Sequence, residues 1–356
     1  MSDSVSEPPA LAPSTRQSCA RVGPGGLLGL LATLRLARAE SERSVLAIVF
    51  AVDGSTYQKP GALVLLGSAG TLHGVISGGC LEPELEDRAR KVLASGRAQI
   101  ADFDTRSDED RVFGSGTGCR GRIRLMLLPQ PRQAPLVKAL EWLARHPGAL
   151  EIRLTIRGAD LGAGTAALRS QMWAWDSAGA PVPAPAHSDP ETQVLVPIQS
   201  PPRVLLLGAG PETPALCLFM QRLGWQVSVV EFRGRWLRFA RAGGASRLLE
   251  LRPAEAAEIW RSESHDTAIA MAHNYALDLE SLRQCAASNV SYIGLLGPAA
   301  RGRELLQELG PDVAARLGSR LHSPVGLGLG GSGPEALAIS IVAELQQHLT
   351  RLGRLR

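Results

Sequence analysis

Two cysteines in this sequence stand among glycines. Cys80 follows Gly78-Gly79, and Cys119 ends the run Gly114-Ser115-Gly116-Thr117-Gly118, with Arg120-Gly121-Arg122 after it. Cys80 falls at the start of a predicted helix, where the dipole and free backbone N–H groups stabilise a thiolate. The guanidinium beside Cys119 acts in the same direction. Two such sulfurs can ligate a soft metal centre or carry a sulfane sulfur. The plain alternative is that each is a small buried apolar residue. The surrounding glycines, which let a ligand come close, favour the chemical reading. Cys217 and Cys285 lie inside predicted helices and read as core residues, and Cys19 belongs to the N-terminal segment.

A second constellation begins at the apolar run Val204 to Leu207, which leads into Gly208-Ala209-Gly210 and a helix opening between Pro211 and Pro214. In a strand–turn–helix of this kind the first glycine permits the tight turn. The second lets the backbone approach a phosphate held at the helix N-terminus. Glu231 ends the next apolar run, where an acid can accept hydrogen bonds from a ribose. Thr213 replaces the third glycine of the pattern, which predicts looser packing of helix on strand. The ordered set identifies the fold; a bound dinucleotide, another ligand or an empty cleft remain alternatives.

Isolated residues add to the candidates. His273 follows the run ending at Met271 and is placed at the carboxyl end of a strand, where open α/β sheets bind ligands. It can contact a ligand, or its neighbours can cap the next helix. Asp278, inside that helix, reads as an orienting or salt-bridged residue. His322 is a ligand contact or a satisfied loop histidine, and Lys59 is a phosphate contact or a solvated loop lysine.

The elements that must position these groups follow from periodicity. Residues 1–22 are expected to be disordered. Residues 23–130 read as an α+β domain: a helix over Gly26 to Glu40 and strands at Val45 to Val52, Ala62 to Leu66 and Leu72 to Ile76. A helix over Leu81 to Ala94 and strands at Ala98 to Phe103 and Arg122 to Leu128 complete it. Residues 131–200 read as a connecting region, with a helix at Leu136 to Arg145, strands at Glu151 to Ile156 and Gln171 to Trp175 that pair, and a linker at Pro181, Pro183 and Pro185. From residue 201 to 356, strands at Val204 to Leu207, Gln226 to Val230, Thr267 to Met271 and Tyr292 to Leu295 alternate with helices. That rhythm predicts a doubly wound parallel sheet of Rossmann type, closed by a helix over Pro334 to Leu349. The fold class is therefore α/β, an α+β domain followed by a Rossmann-like domain.

Composition narrows the function. The 356 residues carry five cysteines, widely spaced and odd in number, a poor disulfide framework that fits a reducing compartment. No cysteine–histidine spacing suits a zinc site. The net charge of +4 does not imply nucleic acid: lysine occurs only at 59, 91 and 138, the arginines are interspersed with acids, and aromatics are 4% of the chain. No apolar run approaches the roughly 20 residues of a membrane span, and no secretory signal is visible, so the expected compartment is the cytoplasm.

The chain resembles the XdhC/CoxI family, accessory factors of xanthine dehydrogenase and related molybdenum hydroxylases. The resemblance rests on ordered segments: GSTYQKPGA from Gly54, SGGCLE from Ser77, GTGCRG from Gly116 and PRVLLLGAGP from Pro202. HNYALDL from His273, YIGLLGP from Tyr292 and LHSPVGL from Leu321 continue the series. It implies a homodimeric protein that binds molybdenum cofactor (molybdopterin), supports its sulfuration by a cysteine desulfurase, and delivers it to a xanthine dehydrogenase-type apoenzyme. Such a protein is a maturation chaperone more than a turnover enzyme. The family's paired cysteines map onto Cys80 and Cys119, facing the Rossmann cleft as catalytic or metal-contacting groups. Its Rossmann glycines map onto Gly208 and Gly210, and its second-strand acid onto Glu231. Gly328 stands where the family usually has Asp. The rival readings are an NAD(P)-dependent oxidoreductase and a dinucleotide sensor. The absence of a Lys/Tyr or Asp/His proton-transfer pair counts against the first.

Overall fold

Val45 to Phe50 contains no polar side chain, and a run of that kind suits a strand covered on both faces. In the computed structural model, which describes residues 24–106, 120–130, 134–157, 160–168, 171–176 and 192–355, it is the centre of the first sheet. Residues 1–22, Cys119 and the proline stretch at 181–185 lie outside the described residues.

The first region runs α1 (Gly26–Ala39), β1 (Val45–Gly54), β2 (Leu63–Leu66), β3 (Thr71–His73), α2 (Glu82–Ser95), β4 (Gln99–Asp104) and β5 (Gly121–Pro129). The strands form an antiparallel sheet in the order β3-β2-β1-β5-β4. Successive side chains of β1 point to opposite faces. Leu46, Ile48 and Phe50 enter one core with Leu30, Leu31 and Leu34 of α1. Val45, Ala47 and Val49 enter another with Leu85, Ala89 and Val92 of α2. A slip of one residue would exchange the two sets, so the register is fixed. Helix α2 starts with Glu82 and Glu84 in its first turn and Pro83 beside them, and ends at Gly96 in the left-handed conformation.

The middle region departs from expectation. It contains α3 (Ala134–Arg145) and four antiparallel strands, β6 (Ala149–Arg157), β7 (Asp160–Leu168), β8 (Gln171–Asp176) and β9 (Thr192–Gln199), in the order β8-β7-β6-β9. The two expected strands, β6 and β8, do not pair with each other, because β7 lies between them and bonds to both. The sequence of β7, Asp-Leu-Gly-Ala-Gly-Thr-Ala-Ala-Leu, is too poor in large apolar residues to show an alternating pattern. Residues 131–200 are thus more than a connection: Leu150, Ile152, Leu154, Val196 and Ile198 complete the core shared by α1 and α3.

The second half runs β10 (Arg203–Leu207), α4 (Thr213–Arg222), β11 (Gln226–Val230), α5 (Gly234–Ala242), β12 (Arg247–Leu249), α6 (Pro253–Ser262) and β13 (Thr267–Ala270). It continues with α7 (Tyr275–Ala286), β14 (Tyr292–Leu295), α8 (Ala299–Leu309), α9 (Pro311–Leu317), β15 (Leu321–His322) and α10 (Pro334–Arg351). All strand pairs are parallel, in the order β12-β11-β10-β13-β14-β15. That is the doubly wound Rossmann arrangement, whose order reverses between β10 and β13 and leaves a crevice at their carboxyl ends.

The halves are joined by one main-chain contact and by several side-chain bonds. Gly25 N donates to Gln221 O at 2.8 Å, and Gly224, with φ of 81°, packs against Gly25 and Gly26 with no room for a Cβ. Gln226 Nε2 donates to Ala144 O at 2.7 Å, and Arg354 Nη2 reaches Ser200 Oγ at 3.2 Å while Nε pairs with Asp266 at 2.8 Å. Among the described residues no helix is long and apolar enough to cross a membrane.

Candidate functional site

The turn between β3 and α2 places Cys80 just before the helix. Ser77, which is buried, organises it: its Oγ accepts from Gly79 N at 3.2 Å and Leu81 N at 3.1 Å. Glu82 Oε1 accepts from Ile76 N at 3.1 Å and Ser77 N at 2.9 Å, and the two side chains bond to each other. Burial pushes the Glu82 carboxyl up, but the bonds from the Ser77 hydroxyl and from backbone N–H groups outweigh it and hold the group below its ordinary value. Two amides at the helix start are therefore already engaged. What the turn leaves open is space. A Cβ built on Gly78 or Gly79 would meet nothing within 4 Å. Cys80 is half-buried and lines a small cleft with Ser55, Thr56 and Tyr57 of the β1–β2 loop, Thr105, and Gly121 at the start of β5. Gly121 is two residues after Cys119 in the chain. Lys59 is exposed in the same β1–β2 loop.

Cys217 and Cys285 are fully buried, and burial pushes each thiol up to about 12. They are core residues, as their helical positions suggested.

The Rossmann turn is closed on itself. Gly208 has φ of 106° and donates to Val230 O at 2.8 Å; a Cβ there would sit 2.4 Å from Ala272 Cα. Gly210 N donates to Thr213 Oγ1 at 2.8 Å, and Ala209 N donates to Glu231 Oε2 at 3.1 Å. Glu231 also accepts from Arg233 N at 2.8 Å, Nε at 2.9 Å and Nη2 at 2.6 Å, and is 2% exposed. A carboxylate has about four acceptor positions, and here four donors use them. Glu231 ties the turn together, its acceptor positions taken by these four donors, and the Gly210 amide is engaged by Thr213. Thr213 tightens the turn through its hydroxyl instead of loosening it.

Beside this turn lies a cleft of about 710 Å³, walled by Pro211, Glu212, Trp236, His273 and the glycine-rich segment 327–334. His273 takes φ of 50°, uncommon outside glycine, and its Nε2 lies 2.9 Å from Glu212 Oε1. That hydrogen bond is the main reason the imidazole is held above its ordinary value. Neighbours fix the segment. Asn274 Oδ1 caps α7 by accepting from Leu277 N at 3.1 Å. Asp278, fully buried, accepts from Ala272 N at 2.9 Å and pairs with Arg301. Trp236 faces His273 at 6.2 Å between ring centroids, 21° from parallel, and the Arg235 guanidinium sits 4.7 Å over the indole.

His322 does not line this cleft. It stacks on Tyr292 at 4.0 Å, with Nδ1 3.1 Å from Glu344 of α10, because β15 is the sheet edge and that side chain turns onto the helix layer. The Cys80 cleft and the Rossmann cleft share no lining residue. Among the described residues no three His, Cys, Asp or Glu side chains are grouped to hold a metal ion.

Two family models match the chain. Residues 37–104 match the model described as the XdhC and CoxI family, and residues 204–345 match the XdhC Rossmann domain. The chain belongs to the XdhC and CoxI family. Among its relatives is a Bacillus subtilis (strain 168) protein whose name makes it a probable xanthine dehydrogenase subunit. It is 29% identical over 327 residues, covering 88% of this chain and 95% of that protein. A crystal structure from Bacillus halodurans, described as a xanthine dehydrogenase, superposes with a TM-score of 0.74 at 26% identity, covering 90% of this chain and 96% of that one. The Escherichia coli (strain K12) protein YqeB is 29% identical over 147 residues, which are 41% of this chain and 27% of that protein.

In this XdhC/CoxI-family chain, Cys80 lies within the first matched region and Gly208, Glu212, Glu231 and His273 within the second. Sequence reasoning missed Ser77 and Glu212. Ser77 was legible as a hydroxyl five residues before Glu82, and Glu212 as an acid inside a turn expected to cradle anions.

Proposed function

We propose that this protein binds molybdenum cofactor, supports its sulfuration by a cysteine desulfurase, and delivers it in the cytoplasm to a xanthine dehydrogenase-type molybdenum hydroxylase. It acts as a maturation chaperone and not as a turnover enzyme. The observation that carries this reading is the half-buried Cys80 thiol beside two glycines whose missing side chains leave open space.

The residues present fit such a group. A thiol is a soft ligand suited to a thiophilic metal or to a transferable sulfur. Gly78 is dictated neither by a positive φ nor by a packing neighbour, so its bare backbone serves whatever approaches from outside. Lys59 offers a cation near the same cleft for the terminal phosphate of the cofactor. Cys119, two residues before the cleft-lining Gly121, is the second sulfur of the proposal. His273, at the mouth of the Rossmann cleft, can offer a hydrogen bond to a ligand lying there. When bound, the cofactor supplies the redox-active molybdenum that the client needs. This chain's part is to hold it, keep a sulfur beside it and release it.

The test is C80A and C119A, each in the full chain. Each variant should keep the wild-type circular dichroism and melting temperature. Each should lose at least about tenfold in both the fluorescent pterin released by acid oxidation and the activation of a hydroxylase apoprotein. Variants that carry pterin and activate the client as well as wild type would falsify the reading.

A further inference from the structure

The second glycine of a Rossmann turn leaves room for a pyrophosphate to lie against the backbone. In this chain that room is already taken. A Cβ built on Gly210 would come within 2.5 Å of both Glu212 Oε1 and His273 Nε2. The space above Gly210 therefore holds a buried carboxylate and an imidazole, bonded to each other at 2.9 Å. The amides that would meet the phosphate are engaged by Thr213 Oγ1 and Glu231. Pro211, next in the turn, has no N–H to offer.

We infer that Glu212 is a specificity-determining residue. Clamped by His273, it occupies the phosphate seat of the turn as an internal anion and closes the Rossmann cleft to dinucleotides. Like charge works alongside shape. An incoming pyrophosphate would meet a carboxylate with only 3% of its residue surface exposed, where solvent screens the repulsion poorly. The glycine-rich turn is thus retained for its path between β10 and α4, which brings it against Ala272, and not for a nucleotide. The conformation of His273 serves the same end. A positive φ at a non-glycine residue is a local cost, and here it accompanies an Nε2 held over Gly210, with Asp278 and Asn274 anchoring the segment on either side.

This inference is independent of the proposed cofactor role, and its test uses neither molybdenum nor a client. NADH and NAD⁺ are titrated into the full chain, with calorimetry and NADH fluorescence as readouts and circular dichroism confirming the fold. Wild type should show no saturable binding. E212A, which empties the seat, should bind NADH at least about tenfold more tightly than wild type. E212Q, which keeps the shape and drops the charge, should gain less, with the same sign. Wild type binding NADH as tightly as either variant overturns the inference. So does the finding that both variants are folded and remain as closed as wild type.

Discussion

A methyl group built on Gly78 or Gly79 meets nothing within 4 Å, whereas one on Gly208 lands 2.4 Å from Ala272 Cα and one on Gly210 lands 2.5 Å from Glu212 and His273. Both turns are short, glycine-bearing and placed before a helix. At the first, the missing side chains face outward beside a half-buried thiol. At the second, the protein's own atoms fill the space. Glycine can signal access for a ligand or close approach of the chain to itself, and only the neighbours decide which.

The sharpest way to break this contrast is to add the methyl. Gly208→Ala must place a side chain at φ of 106° and drive it into backbone atoms. The expected loss is about 3 kcal/mol or more in chemical denaturation. Stability within error of wild type would show that the turn is not packed as described.

Thiol labelling gives the next largest effect. Cys80 should react with an aromatic disulfide in the native protein, while Cys217 and Cys285, sealed and pushed up to about 12, react slower by at least about two orders of magnitude. Mass spectrometry of labelled peptides separates the sites, and comparable rates at all three would contradict the burial.

The Glu212–His273 pair carries a pH signature. Glu212 holds the His273 imidazole above its ordinary value of 6.5. The pair's contribution is fully present below the unfolded-state value and is lost as pH rises through the folded-state one. The melting temperature of wild type minus that of H273A should thus be greater near pH ~6 than near pH ~9, by roughly 2–4 °C. In the E212Q background that excess at low pH should disappear, because burial of the imidazole is then no longer outweighed by the Glu212 carboxylate. The smallest effect is Gly78→Ala, expected within about 0.5 kcal/mol of wild type but with less pterin retained. A large destabilisation there would mean that Gly78, too, serves internal packing.

Much of this molecule was readable from the sequence. The strand–helix alternation after Arg203 is legible because the central strands β10, β13 and β14 are buried on both faces and almost wholly apolar. The short strands β12 and β15 escaped because three and two residues carry no period, and β7 escaped because alanine and glycine blur the alternation. Site residues were less legible. Glu231 sits where a ribose acceptor belongs, and nothing short of three dimensions reveals that Arg233, two residues on, and the Ala209 amide engage it. Cys80 stood out by its neighbours, two glycines before it and a predicted helix start after it.

The joint where Gly25 and Gly224 meet has a consequence for how the chain can be divided. Its principal bond runs from one peptide group to another, and side chains are excluded on both sides. A cut between β9 and β10 that let the halves part would strip the Gly25 amide of its acceptor and release the Gln226 and Arg354 side chains from Ala144 and Ser200. Dividing the chain there exposes backbone that the intact protein keeps paired, which favours expressing it whole.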